Sequence, residues 1–430
     1  MPPIVSQSRE SENVPMSSTT EIRPFQVDMP DEVIVDLRRR VAATCWPGQE
    51  LVTDGSQGVQ LATMQELARY WATDYDWRAC EARLNALPQF TTEIDGVGIH
   101  FIHVKSRHEN ALPLIITHGW PGSVIEMLGV VGPLTDPTAN GGSAQDAFDL
   151  VLPSLPGYGF SAAPTEVGWD PGRVARAWAE LMGRLGYTRY VAQGGDIGAS
   201  VTDAMGRLAP DGLLGIHLNF LPAFPAEVLA AVFGGSLPRA GLFKRVAVAV
   251  LAAHAEKKQP TALDALVALW KRGYIVEMPE HPQTIGYALT DTPAGLAAWM
   301  LDHDADSYQK ISRAFLDGRP AGGLTRDRIV DNITLYWLTG TATSSARLYW
   351  ETERTAVAAV AAGHKPPELS LPVAFTAFPG EIFQAPRSWA EKVYPKLVYF
   401  NQAGQGGHFA AWEEPDLFAA EMRDSLRSLR

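Results

Sequence analysis

Cysteine is almost absent from the 430-residue sequence, which contains only Cys45 and Cys80. Neither residue stands in a C-x-x-C or similar metal-binding spacing, so the sequence predicts no cysteine-ligated metal site. A single disulfide stays open as an alternative, but the pattern favours two buried free thiols, as suits a reducing cytoplasm. With two cysteines, a fold that depends on several disulfides is excluded.

Positive charge and long apolar runs are also scarce. The 36 Lys and Arg residues are outnumbered by 48 Asp and Glu, which gives a net charge of -12 that disfavours phosphate backbones and anionic lipid. The most apolar run, residues 246–253, is far shorter than a membrane helix requires. Residues 1–20 lack the apolar segment of a signal peptide and predict a disordered tail. We expect a cytoplasmic protein without nucleic-acid or membrane partners.

Short apolar strands that alternate with helices dominate the middle of the chain. This alternation predicts a parallel sheet, with reacting groups in loops at the carboxyl ends of the strands. The alternation of strands and helices is interrupted over residues 223–365, which are helical and rich in Ala and Leu, and it resumes after them. The predicted strands are 114–117, 150–153, 190–193, 215–218, 373–376 and 397–400, with helices at 173–185, 199–208 and from about 413.

The chain before this alternation has a different pattern. Apolar residues at helical spacing predict helices at 31–42 and 76–87, and the turn signal Asp95-Gly96 predicts a hairpin of strands 90–94 and 99–104. We therefore divide the chain into a tail, an N-terminal domain, a core in two parts and a helical cap inserted between them. The predicted bounds are 1–20 for the tail, 21–100 for the N-terminal domain, 101–222 and 366–430 for the core, and 223–365 for the cap.

The segment Gly194-Gly195-Asp196-Ile197-Gly198 follows a predicted strand and precedes a helix, the position of a nucleophile elbow. Small neighbours allow the tight turn that projects the central side chain. A carboxylate, with an ordinary pKa of about 3.9, is ionised at neutral pH and can attack a saturated carbon to form an alkyl ester. The alternative is an Asp that only caps the next helix, and the flanking glycines favour the elbow.

Two backbone amides are candidates for an oxyanion hole. The segment His118-Gly119-Trp120-Pro121-Gly122 follows a strand at the place where such a loop belongs, and its N–H groups would face the elbow. We predict Trp120 N–H and Ile197 N–H as the two donors. The alternative for this loop is an ordinary Gly-Pro turn.

A glycine-flanked histidine, His408, lies after the last strand and before the last helix. A nucleophile early in the chain and a histidine last is the order of α/β-hydrolases, so we predict that fold, with helices on both faces of the sheet. Neutral His408 would accept a proton from water, held by a carboxylate.

Glu381, in the loop after the penultimate strand, is the predicted carboxylate partner of this histidine. Its alternative role is a charge near a helix start. The other candidates, Asp331, Glu351 and Glu353, all lie in the predicted cap.

An alkoxide that leaves carbon needs a proton donor, and the phenols of Tyr274 and Tyr349 in the cap are candidates. Tyrosine is common in protein cores, so spacing alone does not assign this role.

These motifs resemble those of the epoxide hydrolases of the microsomal and juvenile-hormone type. The resemblance also includes the N-terminal block and the lid, so it covers nearly the whole chain beyond residue 21. The matching segments are HGWPGS at 118–123, GGDIGA at 194–199, FPGE at 378–381, GGHFAAWEEP at 406–415, LNALPQFTTEIDGVGIHFIH at 84–103 and LYWLTGTATSSARLYWE at 335–351.

The resemblance implies a role for each matching residue: Asp196 as nucleophile, His408 as base, Glu381 as its acid, and Tyr274 and Tyr349 as the epoxide-binding phenols. It also implies an N-terminal extension that wraps the core, an epoxide as substrate and a vicinal diol as product, with no metal or organic cofactor. The aromatic inventory suggests that the epoxide is apolar and bulky or aryl. We do not expect this chain to share the N-terminal membrane anchor of the family's mammalian microsomal members. A homodimer is compatible with such an enzyme, but the sequence does not decide it.

Two other functions stay open. A haloalkane dehalogenase also uses an Asp elbow, but often has a Trp directly after the nucleophile as a halide donor, where this chain has Ile197. A non-catalytic binding protein of the same fold would have lost a catalytic residue, and none is missing here. The natural epoxide, its stereochemistry and a detoxifying or biosynthetic role are not readable from the sequence.

Overall fold

In the computed structural model, which describes residues 20–224, 272–363 and 367–430, one nine-stranded sheet forms the centre of the molecule. Its spatial order is β1-β2-β3-β5-β4-β6-β7-β8-β9. The pairs from β1 to β5 are antiparallel, and the six strands from β5 to β9 pair in parallel. The strands are β1 Arg23–Phe25, β2 Gln89–Ile94, β3 Val97–Val104, β4 Leu112–Thr117, β5 Phe148–Pro153, β6 Tyr190–Gly194, β7 Leu213–Leu218, β8 Val373–Ala377 and β9 Leu397–Gln402.

Helices cover both faces of this sheet, so the predicted mostly parallel α/β architecture is confirmed. Helices α5 and α6 pack together on one side, and α4 packs with the C-terminal helix α15. The central strands are buried along their length, because both faces are covered and their sequences are continuous apolar runs. These helices are α4 Val131–Thr135, α5 Pro171–Arg184, α6 Asp196–Leu208, α13 Arg387–Val393, α14 Ala410–Glu413 and α15 Pro415–Leu426.

The N-terminal segment contributes three helices and a hairpin to the fold. Strand β3 of the hairpin pairs with β5, so Phe101 lies opposite Pro153 and the hairpin extends the central sheet. The predicted boundary at residue 100 therefore falls inside a strand. Helix α2 was not predicted, although its buried residues recur at helical spacing. The helices are α1 Asp31–Ala42, α2 Leu61–Thr73 and α3 Trp77–Asn85.

The described part of the predicted cap, residues 272–363, is helical; residues 225–271 of that prediction, and residues 1–19 of the predicted tail, lie outside the described residues. Cap helices contact the N-terminal segment: Tyr308 Oη accepts the N–H of Gln60 at 2.8 Å, and Thr63 and Ser312 share a hydrogen bond of 2.8 Å. The helices are α7 Gly273–Glu280, α8 Pro282–Asp291, α9 Pro293–Leu301, α10 Ala305–Leu316, α11 Arg326–Thr339 and α12 Ala342–Ala361.

Two features bear on the predictions from composition. Cys80 is buried and Cys45 is exposed, and both are free thiols. The expectation of two buried thiols is therefore wrong for Cys45, which lies in an exposed stretch after α1. Among the described helices, none combines the length and the apolar character that crossing a bilayer demands.

Candidate active site

A tight turn between β6 and α6 presents the carboxylate of Asp196. Its backbone has φ 51°, a left-handed conformation that is uncommon outside glycine and typical of strained functional turns. The turn requires glycine on both sides. A Cβ at Gly194 would lie 2.1 Å from the carbonyl O of Gly198, and a Cβ at Gly198 would lie 2.2 Å from the carbonyl O of Thr117. The sequence pattern of the elbow thus has a direct steric cause.

The loop after β4 brings a backbone donor to this carboxylate. Trp120 N–H donates to Asp196 Oδ1 at 2.9 Å. Close approach depends on Gly119, where a Cβ would lie 2.5 Å from the Cβ of Asp196. Ile197 is buried in the first turn of α6, where an N–H has no acceptor within its own helix. The two predicted oxyanion donors therefore both lie beside Asp196.

His408 and Glu381 lie next to the other carboxylate oxygen. His408 Nε2 is 3.4 Å from Asp196 Oδ2, and its Nδ1 is 2.5 Å from Glu381 Oε1. The same Glu381 oxygen accepts the N–H of Ile382 at 2.8 Å, which fixes its position. Both side chains are only 1% exposed. The structure thus brings Asp196, His408 and Glu381 into one continuous chain of contacts.

Two of the other acidic candidates, Asp331 and Glu351, have different partners. Asp331 accepts from Tyr75 Oη at 2.8 Å and pairs with Arg83. Glu351 accepts the N–H of Gly168 at 2.8 Å. Glu381 is the acidic candidate whose carboxylate contacts His408, at Nδ1.

The charges of Asp196, His408 and Glu381 favour an ion pair between Asp196 and His408. Burial lowers the pKa of His408, but the nearby Glu381 and Asp196 carboxylates outweigh burial and raise it well above its usual value. Burial raises the pKa of Asp196, but the hydrogen bond and charge of His408 outweigh this effect and lower it. Both directions favour an Asp196 carboxylate beside a His408 imidazolium.

Both predicted tyrosines face the elbow from the cap. Tyr349 of α12 has its Oη 3.5 Å from Asp196 Oδ1. Tyr274 of α7 lies beside it, with ring centroids 6.1 Å apart, and packs on the Trp120 ring at 4.9 Å. Burial, with Asp196 adding to it, raises the pKa of both phenols well above the usual value. Both hydroxyls stay protonated at neutral pH and are able to donate.

A second imidazole, His303, was not predicted from the sequence. It lies between α9 and α10, is 1% exposed, and its Nε2 is 3.1 Å from Tyr274 Oη. Its Nδ1 is 3.1 Å from Asp304 Oδ2, and its ring lies 4.4 Å from that of His408. Asp304 also caps the N-terminus of α10, because it accepts the N–H of Ser307 at 2.8 Å. No spacing rule connects this loop to the elbow.

Asp196, His303 and His408 are also the described residues that come nearest to a metal-ligand arrangement. Their donor atoms lie within 4.8 Å of one another, a spread wider than the edges of a tetrahedron with bonds of about 2.1 Å. Each of the three already contacts an acid–base partner within the site. We therefore interpret them as proton-transfer groups and assign no metal ligand.

A small cavity lies behind the nucleophile, next to Glu126 of the turn after β4. Its volume is about 20 Å³, enough for one water molecule. Burial, to which Asp196 adds and which His408 opposes, raises the pKa of Glu126 to about 8. Gln193 also borders the cavity, and its Oε1 has no hydrogen-bond partner among the described residues. Glu126 was not singled out from the sequence, because a lone Glu in a short turn carries no signal.

A larger cavity of about 300 Å³ lies between α12 and the loop after β5. Leu348 and Trp350, the neighbours of Tyr349, form part of its wall together with Trp169 and Pro156. Its walls are largely apolar but also include Glu166, Arg347 and Glu351, and the described side chains of Asp196, Tyr274 and Tyr349 are not part of them.

Comparison with known proteins points to the epoxide hydrolases. The sequence model of the family described as "Epoxide hydrolase N terminus" matches residues 22–127. The chain is 49% identical over 411 residues to a protein of Stigmatella aurantiaca (strain DW4/3-1) assigned to the epoxide hydrolases, covering 95% of this chain and 86% of that protein. It is 35% identical over 408 residues to Epoxide hydrolase 1 of Sus scrofa, covering 94% and 88% of the two chains.

The fold agrees as well. The crystal structure of juvenile hormone epoxide hydrolase from the silkworm Bombyx mori superposes with a TM-score of 0.75 and 28% identity, covering 95% of each chain. The predicted α/β-hydrolase fold is therefore confirmed. On the strength of identities above 30% over more than nine-tenths of its length, the chain belongs to the epoxide hydrolase family of enzymes.

Proposed function

We propose that this enzyme adds water to an apolar epoxide through a covalent ester on Asp196 and releases a vicinal diol. The observation that carries the proposal is the position of this one carboxylate. One oxygen faces the phenol of Tyr349 at 3.5 Å, and the other faces His408 at 3.4 Å. A nucleophile, a proton donor for the leaving oxygen and a base for water therefore meet at a single side chain.

In the first step, Tyr274 and Tyr349 hold the epoxide oxygen and Asp196 attacks one ring carbon. The carbon–oxygen bond of the ring breaks as the bond to the carboxylate forms. A phenol proton passes to the departing alkoxide, which becomes a hydroxyl. Asp196 requires no base for this attack, because its carboxylate is already ionised.

In the second step, neutral His408 takes a proton from water, and the hydroxide oxygen attacks the carbonyl carbon of the Asp196 ester. Glu381 orients the imidazole and stabilises its positive charge. Trp120 N–H and Ile197 N–H stabilise the oxyanion, and one such donor is typically worth about 3 kcal/mol of barrier. The ester bond then breaks, the departing alkoxide takes the remaining proton of the attacking water, and the diol leaves the restored Asp196 carboxylate.

The substrate class follows from the apolar surroundings of the two phenols. The rings of Trp120, Tyr274 and Tyr349 pack against one another beside Asp196 and offer few hydrogen bonds. The related insect enzymes are named for juvenile hormone. We infer a small, largely apolar epoxide whose only strongly polar atom is the ring oxygen.

A single turnover in ¹⁸O-water tests the proposal. The label is expected in the side chain of Asp196, detected by peptide mass analysis. His408→Gln should accumulate the ester, and Asp196→Asn should form none. Label that enters the diol directly, with unlabelled Asp196, would overturn the covalent mechanism.

The phenols are tested by the rate of ester formation. Tyr274→Phe combined with Tyr349→Phe should slow it by about 10²-fold or more, while ester hydrolysis changes far less. Tyr187→Phe is the matched control, since that hydroxyl bonds to Asp149 and His103 instead. Chloride release from haloalkanes with no action on epoxides would support a dehalogenase.

A further inference from the structure

Tyr274 is the end of a buried chain of three groups. Asp304 Oδ2 lies 3.1 Å from His303 Nδ1, and His303 Nε2 lies 3.1 Å from Tyr274 Oη. Burial raises the pKa of Asp304, but His303 and the Ser307 N–H outweigh burial and lower it, so the carboxylate is ionised. A carboxylate only accepts, hence His303 Nδ1 carries the hydrogen. The exchangeable position is then Nε2, which faces the phenol.

The same imidazole also adjoins the base of the second step. The His303 ring lies 4.4 Å from the His408 ring and 4.8 Å from the Tyr274 ring. Phe409, at 5.5 Å, covers another side. His303 is therefore a buried imidazole located between the proton donor of ring opening and the base of ester hydrolysis.

The proposed mechanism does not yet say where the proton of His408 goes. Glu381 and Asp196 favour an imidazolium at His408 in the free protein, yet His408 has to be neutral before it can accept a proton from water. At the same time, the alkoxide of the opened ring requires a proton. Moving a proton from His408 to the alkoxide meets both demands in one transfer.

We propose that His303, held by Asp304, passes the proton of His408 to Tyr274 while the epoxide opens. The proton leaves His408 Nε2 and binds His303 Nε2. A ring nitrogen of each histidine lies within 4.8 Å of a ring nitrogen of the other, a distance that a single bridging water would span. His303 then gives it to Tyr274 Oη as the phenol gives its own proton to the alkoxide. His408 is left neutral, and it regains a proton from water in the second step, so the cycle closes without exchange with solvent.

Ester formation weakens the hold of His408 on its proton. It removes both a hydrogen bond and a charge of Asp196 that raise the pKa of His408, but only a charge that raises the pKa of His303. Burial and the charge of His408 both lower the pKa of His303, so a proton on one of the two adjacent rings disfavours a proton on the other. His303 touches Tyr274 and not the substrate in this scheme, so it is a positioning and relay residue. The inference rests on the proposed function.

The test compares two variants with a control. In His303→Gln, the amide can still bond to Tyr274 but cannot carry a proton. In Asp304→Asn, the cap of α10 is kept but the acceptor for Nδ1–H is lost. Asp302→Asn removes an exposed carboxylate from the same turn and is the control. Single-turnover trapping gives the rate of Asp196 alkylation, and an indicator dye in weakly buffered solution reports protons taken from solvent.

We expect the wild type and Asp302→Asn to alkylate without proton uptake. His303→Gln should alkylate about tenfold more slowly or worse, with roughly one proton taken up per site. Asp304→Asn should change in the same direction, and it keeps the test valid if His303→Gln does not fold. Wild-type rates without proton uptake in both variants would overturn the relay, although the ester on Asp196 would still support the proposed function. Absence of that ester in the wild type would overturn the proposed function itself.

Discussion

Arg83 of the N-terminal segment forms an ion pair with Asp331 of cap helix α11. Asp331 is almost fully buried and also accepts from Tyr75 Oη at 2.8 Å, whereas about half of the Arg83 side chain is exposed. Both Tyr75 and Arg83 precede the core in sequence, so this contact fastens the cap to the N-terminal segment. Asp331, a candidate for the catalytic acid in the sequence, therefore has a structural role.

Replacing Arg83 by Met should destabilise the protein by about 1–3 kcal/mol, because Asp331 loses its cationic partner. Burial raises the pKa of Asp331 and Arg83 opposes this effect. A raised carboxyl pKa lowers stability as pH rises, so the loss in melting temperature should be larger at pH 8 than at pH 5. Arg39→Ala, which breaks an exposed pair with Asp36, is the control and should cost under about 1 kcal/mol. Equal losses in both variants would contradict the expectation.

Glu381→Gln should slow ester hydrolysis and shift its pH dependence. Hydrolysis requires neutral His408, so its rate rises with pH through the pKa of that imidazole. Glu381 is the largest contributor that raises this pKa, so the variant should have its midpoint at lower pH. The maximal rate should fall by about 10²-fold or more, because the imidazole loses its orienting acceptor. Single-turnover decay of the ester between pH 5 and pH 9 measures both; an unmoved midpoint would show that Glu381 does not control the base.

Glu126→Gln should remove a loss of activity above pH 8. The pKa of Glu126 is raised to about 8 by burial, so the wild-type side chain is mostly neutral at pH 7 and charged at pH 9. A new negative charge beside the Asp196 ester opposes the oxyanion and slows hydrolysis. Gln imitates the neutral acid, so the variant should match the wild type at pH 7 and keep its rate at pH 9. The same raised pKa predicts that the wild type, more than the variant, loses thermal stability between pH 7 and pH 9. A wild-type rate that stays level across this range would refute the assignment.

Gly198→Ala should disrupt the elbow. The added Cβ would lie 2.2 Å from the backbone carbonyl of Thr117, so the turn has to shift, at a cost of about 1–3 kcal/mol or more. Gly183 is the matched control, since a Cβ there in helix α5 meets no atom within 4 Å. Gly183→Ala should stabilise the protein by about 0.5 kcal/mol and leave turnover unchanged. Melting temperature and ester formation, measured on both variants, separate the two positions.

The sheet and its order of motifs were readable from the sequence because they depend on local patterns. Apolar runs marked the buried strands, and the glycines around Asp196 marked a turn whose steric limits the structure explains. The short edge strand β1 was not predicted, since three residues carry no periodicity. Helix α2 was missed although Met64, Leu67 and Trp71 are spaced as on one buried face.

The rest of the site could not be derived from spacing, because it depends on contacts between distant segments. His303 reaches Tyr274 only because two cap helices fold over the same edge of the sheet. Glu126 acquires its raised pKa from burial, which no single residue in the sequence reveals. The resemblance supplied Tyr274 and Tyr349, but it was silent about the groups behind them.

Trp120 contributes to the site in two ways, through its backbone N–H and through its indole ring. Its backbone N–H faces Asp196, while its indole packs on Tyr274, His303 and Tyr349. A substitution of Trp120 that made room for a different substrate would also displace the backbone N–H next to Asp196. Changes of substrate range in this scaffold are therefore expected at residues other than Trp120.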